Sequence, residues 1–275
     1  MPLLAGIGTA AAILVLLVAL FVFWLKPGRP GAQQQKPFMG LNVAHRGLHT
    51  GNASVPENSL PAFEKACEAG YGIELDLQLS KDGYVVVFHD DTLTRICGVD
   101  ARVDSKTLAE LQELRLLESS ESIPLFSDVL ALVNGRVPLI VELKMSRQNV
   151  LLCQKTLALL QDYAGDYCIE SFDPRIVGWF KTNAPSILRG QLSSPPNKLG
   201  NGILGVLVGN LLSNFLARPQ FIAYDIAGKP LLARLGSRGA MKVAWTVRPN
   251  NTIAEIEKQN DTVIFELYTP PTHFK

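Results

Sequence analysis

Residues 42–89 bring together side chains able to attack a phosphate ester with the help of a metal ion. The stretch opens on Asn-Val-Ala-His45-Arg46-Gly47, continues through Pro56-Glu57-Asn58-Ser59, and carries Glu74-Leu-Asp76 before ending at His89. In a strand, successive side chains point to opposite faces, so Glu74, Asp76 and Gln78 share one face and Ile73, Leu75, Leu77 and Leu79 the other. Two carboxylates two residues apart on one face can reach a single hard cation. The leucines and isoleucine around them read as a strand buried on both sides, where a carboxylate needs a partner and a cation is the simplest one. Val137-Pro-Leu-Ile-Val-Glu142-Leu-Lys144 is a second apolar run ending in charge. Glu142 completes a three-oxygen set suited to Mg²⁺ or Ca²⁺, while Lys144 and Arg46 offer positive charge to a phosphate. Two imidazoles, His45 and His89, can take and give protons near neutral pH, and either could be the base. The nucleophile could be water or a hydroxyl of the substrate. Zinc is disfavoured, because Cys67, Cys97, Cys153 and Cys168 lie far apart without a C-x-x-C pair.

The elements that would position these groups follow from the pattern. The link Ser80-Lys81-Asp82-Gly83 is too short for a parallel crossover, so the strand at 84–88 returns antiparallel as a hairpin. A turn centred near Lys81 and Asp82 places Glu74 opposite His89 and Asp76 opposite Val87. Eight further strands are expected at 41–45, 73–78, 138–143, 167–171, 187–191, 220–224, 242–247 and 262–266. Leu60–Gly70 has helical spacing with Asn58 or Ser59 as cap, and the stretches from Thr107 and Ser127 are similar. With the first few dozen of the 275 residues set aside, the remainder suits one (β/α)₈ barrel of roughly 250 residues. The proposed site residues then stand at the carboxyl ends of strands, where barrel active sites lie.

The chain resembles the glycerophosphodiester phosphodiesterase family. The matching segments are His45-Arg46-Gly47, Pro56-Glu57-Asn58, Glu74-Leu75-Asp76, Lys81-Asp82-Gly83, Val87-Phe88-His89-Asp90, Ile123-Pro124, Glu142-Leu143-Lys144, Ser171-Phe172-Asp173 and Trp245-Thr246-Val247. The resemblance implies a TIM-type barrel, a divalent cation, and hydrolysis of a glycerophosphodiester to an alcohol and glycerol 3-phosphate. It also implies His45 and His89 as the acid–base pair, Glu74, Asp76 and Glu142 as metal ligands, and Arg46 and Lys144 on the phosphate. Phe172 and Trp245 are candidates to pack on a headgroup or acyl chain. The last strand departs from the family pattern: Glu266 stands where an aspartate is usual, and the site is drawn without it.

Leu3 to Leu25 carries no charge and is long enough to span a bilayer, with Trp24 at the interface and Lys26 and Arg29 after it. Positive charge only on the far side favours an uncleaved single-pass anchor over a signal peptide and places the barrel in the cytoplasm. The expected organisation is an anchor at 1–26, a linker at 27–39 and a barrel at 40–275. Gly202–Ala217 is apolar nearly all round, which suits either a buried barrel helix or an interfacial helix beside the mouth. In the second case the substrate is a lysophospholipid or another membrane lipid, cleaved by a lysophospholipase D or cyclising activity. A membrane-anchored barrel binding a phosphoester without turnover is the remaining alternative. A net charge of +1 without a basic run argues against nucleic acid, and nothing points to a protein partner.

Overall fold

The computed structural model describes residues 2–200 and 202–275, with side-chain surroundings from residue 11 onward. Its strands are β1 (Asn42–Ala44), β2 (Gly72–Leu79), β3 (Val85–Val87), β4 (Leu139–Leu143), β5 (Tyr167–Ser171), β6 (Leu188–Ser193), β7 (Phe221–Asp225), β8 (Met241–Val247) and β9 (Thr262–Phe265). Eight of them are parallel and close in the order β1-β2-β4-β5-β6-β7-β8-β9, with β9 pairing back onto β1. β3 lies outside this ring, antiparallel to β2. All eight expected barrel strands and the returning hairpin arm are therefore present.

Alternation along the strands divides the core into two layers. Ile73, Leu75, Leu77, Leu139, Val141 and Leu143 face outward and pack with Phe63, Phe126 and Phe180 of the surrounding helices. Val43, Ile140, Cys168, Phe221, Val243 and Ile264 fill the barrel interior. The acidic residues Glu74, Asp76, Glu142 and Glu170 belong to this inward set; Glu142 and Glu170 stand near the carboxyl ends of β4 and β5, and Asp76 is in register with Glu142. Helix Leu60–Ala69 begins on Ser59, whose hydroxyl accepts from the Ala62 amide, and ends on Gly70 at φ 75°. Ser59, not Asn58, is thus the cap. Helix Leu108–Gln112 carries a Thr107/Glu110 capping box.

Two expectations need correction. The hairpin register is Leu77↔Val87 and Leu79↔Val85, one residue away from the expected pairing. The turn takes up the extra residue through Gly83 at φ 80°. Such a slip should turn His89 to the other face, but β3 stops at Val87, and the irregular backbone beyond it frees His89 from the pleat. Within residues 27–39, helices Ala32–Gln35 and Lys36–Phe38 form, and Phe38 is buried against the interior layer. Gly202–Ala217 is not one helix but two, Ile203–Gly209 and Asn214–Ala217, broken at Leu211 with φ 57°.

As backbone, the N-terminal helix runs Pro2–Leu25. Among the residues whose side chains are described, from 11 onward, no helix is long and apolar enough to cross a membrane. The carboxyl end of this helix is docked on the broken segment. Trp24 Nε1 donates to Leu212 O at 2.8 Å, Asn214 Nδ2 to Leu25 O at 2.7 Å, and Arg218 Nη1 to Phe23 O at 2.7 Å. The Trp24 and Phe215 rings pack with centroids 3.9 Å apart.

Candidate active site

The turn after β1 holds the first site residues. Arg46 and Asn58 both have left-handed backbone, at φ 56° and 53°, conformations that side-chain-bearing residues adopt at a cost and that cluster at functional sites. Gly47 follows at φ 80°, and a Cβ there would stand 2.8 Å from the Ala62 carbonyl carbon, so only glycine fits. This turn aims the Arg46 amide at Glu74 Oε2, 3.0 Å away, and the Asn58 side-chain amide at Asp76 Oδ2, 2.8 Å away.

Glu74, Asp76 and Glu142 are all buried, and their carboxylate oxygens lie within 4.8 Å of one another. Such a group could hold a metal ion. Burial, reinforced by Asp76 and Glu142, pushes Glu74 well above the ordinary carboxylate range. Burial likewise raises Glu142, to about 7, against the pull of Lys144. Asp76 goes the other way: burial opposes its charge, but Lys144, His89 and Arg46 outweigh burial and hold it well below. Lys144 Nζ lies 2.8 Å from Asp76 Oδ1 and 2.9 Å from Glu142 Oε1. Its burial is outweighed by these two carboxylates, which keep the ammonium charged. Three acidic groups, two of them resisting ionisation, form a site that a divalent cation would complete.

The two imidazoles are each fixed through Nδ1. His45 Nδ1 is 2.8 Å from Glu266 Oε1, with Nε2 facing Glu74 Oε2 at 3.9 Å. Burial lowers the His45 pKa to about 4, while the Glu266 hydrogen bond pulls it back up. Glu266 is itself held by Arg248 Nε at 2.7 Å. Burial works to raise Glu266, but His45 and His49 outweigh it and keep the carboxylate charged. His89 Nδ1 is 2.6 Å from Asp90 Oδ1. Burial lowers its pKa, opposed by the nearby Asp76 charge. From Asp90 a chain of ion pairs runs through Arg95 and Glu57 back to Arg46, with contacts of 2.6, 2.8 and 2.6 Å. The supports of His89 and Arg46 are thereby one connected network.

His45, Arg46, Glu74, His89, Glu142, Phe172 and Trp245 line one cavity of about 690 Å³. Asp76 and Lys144, bonded to its wall residues, stand just behind them. All nine expected site residues are therefore together. Phe172 and Trp245 meet edge to face, with centroids 5.6 Å apart, and make the apolar side of the cavity. A bulge between Ala244 and Val247 in β8 accompanies the placement of Trp245.

Two residues of the site were not foreseen. Glu266 was set aside as a departure from the family pattern, yet it orients His45. Glu170 on β5 lies in register with Glu142, lines the same cavity, and is raised well above its ordinary range by burial and by Glu142. Its position was legible from strand alternation, since 167–171 places Cys168 and Glu170 on one face.

A closed eight-stranded parallel barrel with acidic and imidazole groups at its mouth makes this an enzyme-like site of the TIM-barrel type. Comparison with known proteins narrows this further. Residues 45–265 match the model of the glycerophosphoryl diester phosphodiesterase family, so the chain belongs to that family. It is 28% identical over 226 residues to the candidate glycerophosphodiester phosphodiesterase YhdW of Bacillus subtilis, covering 78% of this chain and 89% of that protein. A glycerophosphodiester phosphodiesterase of Caldanaerobacter subterraneus is 47% identical over 75 residues, 27% of this chain and 30% of that one. Among solved structures, the Thermotoga maritima glycerophosphodiester phosphodiesterase superposes with a TM-score of 0.63 at 26% identity, covering 82% of this chain and 93% of that one. An Oleispira antarctica phosphodiesterase in complex with sn-glycerol-3-phosphate gives 0.69 at 22% identity, covering 85% and 94%, and supports the fold. The protein is a phosphoric diester hydrolase acting on glycerophosphodiesters.

Proposed function

We propose that the chain hydrolyses glycerophosphodiesters to an alcohol and glycerol 3-phosphate, with His45 and His89 moving the protons and Mg²⁺ or Ca²⁺ held by Glu74, Asp76 and Glu142. The observation that carries this reading is the convergence of the three carboxylates and both imidazoles on one cavity. An all-oxygen donor set suits a hard cation. When bound, such an ion draws charge from a nonbridging phosphate oxygen. Arg46 and Lys144 supply further positive charge to the phosphate.

Assigning the Nδ1 proton of His45 to its bond with Glu266 leaves the Nε2 lone pair free. His45 is neutral near pH 7 and takes the proton of the attacking water, while Glu266 stabilises the imidazolium that forms. His89 acts as the imidazolium, which the Asp76 and Asp90 carboxylates favour against burial, and gives its Nε2 proton to the leaving alkoxide. A leaving-group test separates the two roles. A p-nitrophenyl phosphodiester, whose leaving group needs no proton, should restore turnover in His89→Ala and not in His45→Ala. Rescue of His45→Ala instead would reverse the assignment, and rescue of neither would remove the acid role.

The N-terminal helix is our candidate for a single-pass membrane anchor, with the barrel on the cytoplasmic side. Residues 3–25 carry no charge, and Ile13, Leu16, Val18, Leu20 and Phe23 are exposed. At 1.5 Å per residue the 24 residues of Pro2–Leu25 reach about 36 Å, enough for a hydrocarbon core of about 30 Å. Lys26 and Arg29 follow the helix. Release of the full-length protein from membranes by alkaline carbonate would count against the anchor.

A further inference from the structure

A second cavity of about 950 Å³ adjoins the first on the side of the N-terminal helix. Its walls are overwhelmingly apolar: Phe21 and Trp24 on that helix, Leu204 and Leu207 on helix Ile203–Gly209, and Leu216 beyond the break. Leu204 is 74% exposed and Leu216 47%, so the groove opens to the surface at these residues. The charged pair at its rim, Asp173 and Arg175, neutralises itself at 2.6 Å.

The groove borders the catalytic cavity. Phe172 lines both, and Lys198 of one abuts Leu199 of the other at the end of the turn Pro196–Lys198. A ligand could therefore place a phosphodiester against His45 and His89 and run an apolar tail past Phe172 into the groove. The groove also lies at the carboxyl end of the candidate anchor, where Trp24 and Leu25 are hydrogen-bonded to Leu212 and Asn214. In a membrane-anchored protein, that end of the helix meets the headgroup region of the bilayer. Both volumes fall within about 300–1,000 Å³, the range of small-molecule sites.

We propose that this groove takes the single acyl chain of a lysophospholipid whose phosphodiester lies in the catalytic cavity. The inference rests on the phosphodiesterase reading above and names a substrate class for that site. Water attacks phosphorus, and the bond from phosphorus to the headgroup oxygen breaks. The water proton is taken up by the protein, and the departing alkoxide receives a proton. The products are the headgroup alcohol and a monoacylglycerol phosphate, whose chain stays in the groove until release.

The test uses full-length protein in phospholipid nanodiscs and compares glycerophosphocholine with lysophosphatidylcholines of 6, 10 and 16 carbons. The expected result is a kcat/KM that climbs with chain length, by up to about tenfold for each two methylenes buried in the groove. The double variant Leu204→Glu/Leu216→Glu changes exposed groove side chains, and Leu204→Trp narrows the groove without adding charge. Both should flatten the chain dependence and leave glycerophosphocholine turnover unchanged. A chain preference that survives in both variants reflects partition into the bilayer and overturns the groove. Hydrolysis of glycerophosphocholine without any gain from a chain also overturns it, while leaving the phosphodiesterase reading intact. If neither substrate is turned over, that reading fails, and binding decides the groove separately. A fluorescent 16-carbon lysophosphatidylcholine should bind chelator-treated wild type at least tenfold more tightly than the double variant, and equal binding would overturn the groove.

Discussion

Cation binding should release protons, and the number follows from the carboxylate cluster. Burial and Asp76 hold Glu142 protonated up to about pH 7 in the absence of a cation, and Glu74 is raised as well. A carboxyl group must ionise to ligate a metal ion. At pH 6 a group of pKa about 7 is about 0.9 protonated, so Glu142 alone gives up about 0.9 proton per ion bound. Glu74, also raised, adds to this. At pH 8 the contribution of Glu142 falls to about 0.1. The same arithmetic makes binding about tenfold tighter at pH 8 than at pH 6 from Glu142 alone. Titration calorimetry with Mg²⁺ or Ca²⁺ in buffers of different ionisation enthalpy reads the proton count directly. Glu142→Gln should lower the count at pH 6 by about one. Proton release near zero at pH 6, or affinity independent of pH, would refute the claim that these buried carboxylates are the ligands.

Further expectations concern the supporting residues. Glu266→Gln should lower kcat by about 10- to 100-fold with KM little changed, because the carboxylate orients His45 from outside the substrate; steady-state kinetics decides it. His45→Ala should cost about 10²- to 10⁴-fold in kcat. His45, with its pKa lowered to about 4, binds fewer protons folded than unfolded between that value and about 6.5. Its contribution to stability is therefore whole above pH 6.5 and lost as pH falls towards 4. Denaturant melts should show His45→Gln flattening that acid limb. Leu75→Ala, in the layer between barrel and helices, should cost about 2–5 kcal/mol by urea unfolding. Ser59→Ala should cost about 1 kcal/mol through the lost helix cap.

What could be read in advance was local. Strand alternation alone put Glu74 and Asp76 on one face, and short apolar runs ending in charge marked β2 and β4. His45-Arg46-Gly47 was visible as the polar end of the first apolar strand. The hairpin register was misjudged by one because the turn length depends on Gly83 and on Ser80 pairing with Tyr84, which no apolar pattern encodes. Glu266 was missed because its role depends on a partner 221 residues away. Glu170 was overlooked although alternation exposed it, since only the register of β5 on β4 sets it beside Glu142. The break at Leu211 escaped notice because an unbroken apolar run carries no mark of where its helix ends. The order in residues 32–38 depends on Phe38 reaching the barrel interior, a contact no local signal announces.

The most direct test of the central claim is hydrolysis of glycerophosphocholine by metal-stripped protein, before and after a divalent cation is returned. The account predicts no turnover when stripped, recovery with Mg²⁺ or Ca²⁺, and no recovery in Glu74→Gln, Asp76→Asn or Glu142→Gln that remain folded. Full turnover in the presence of chelator, or a cation response that persists when all three carboxylates are neutralised, would contradict it.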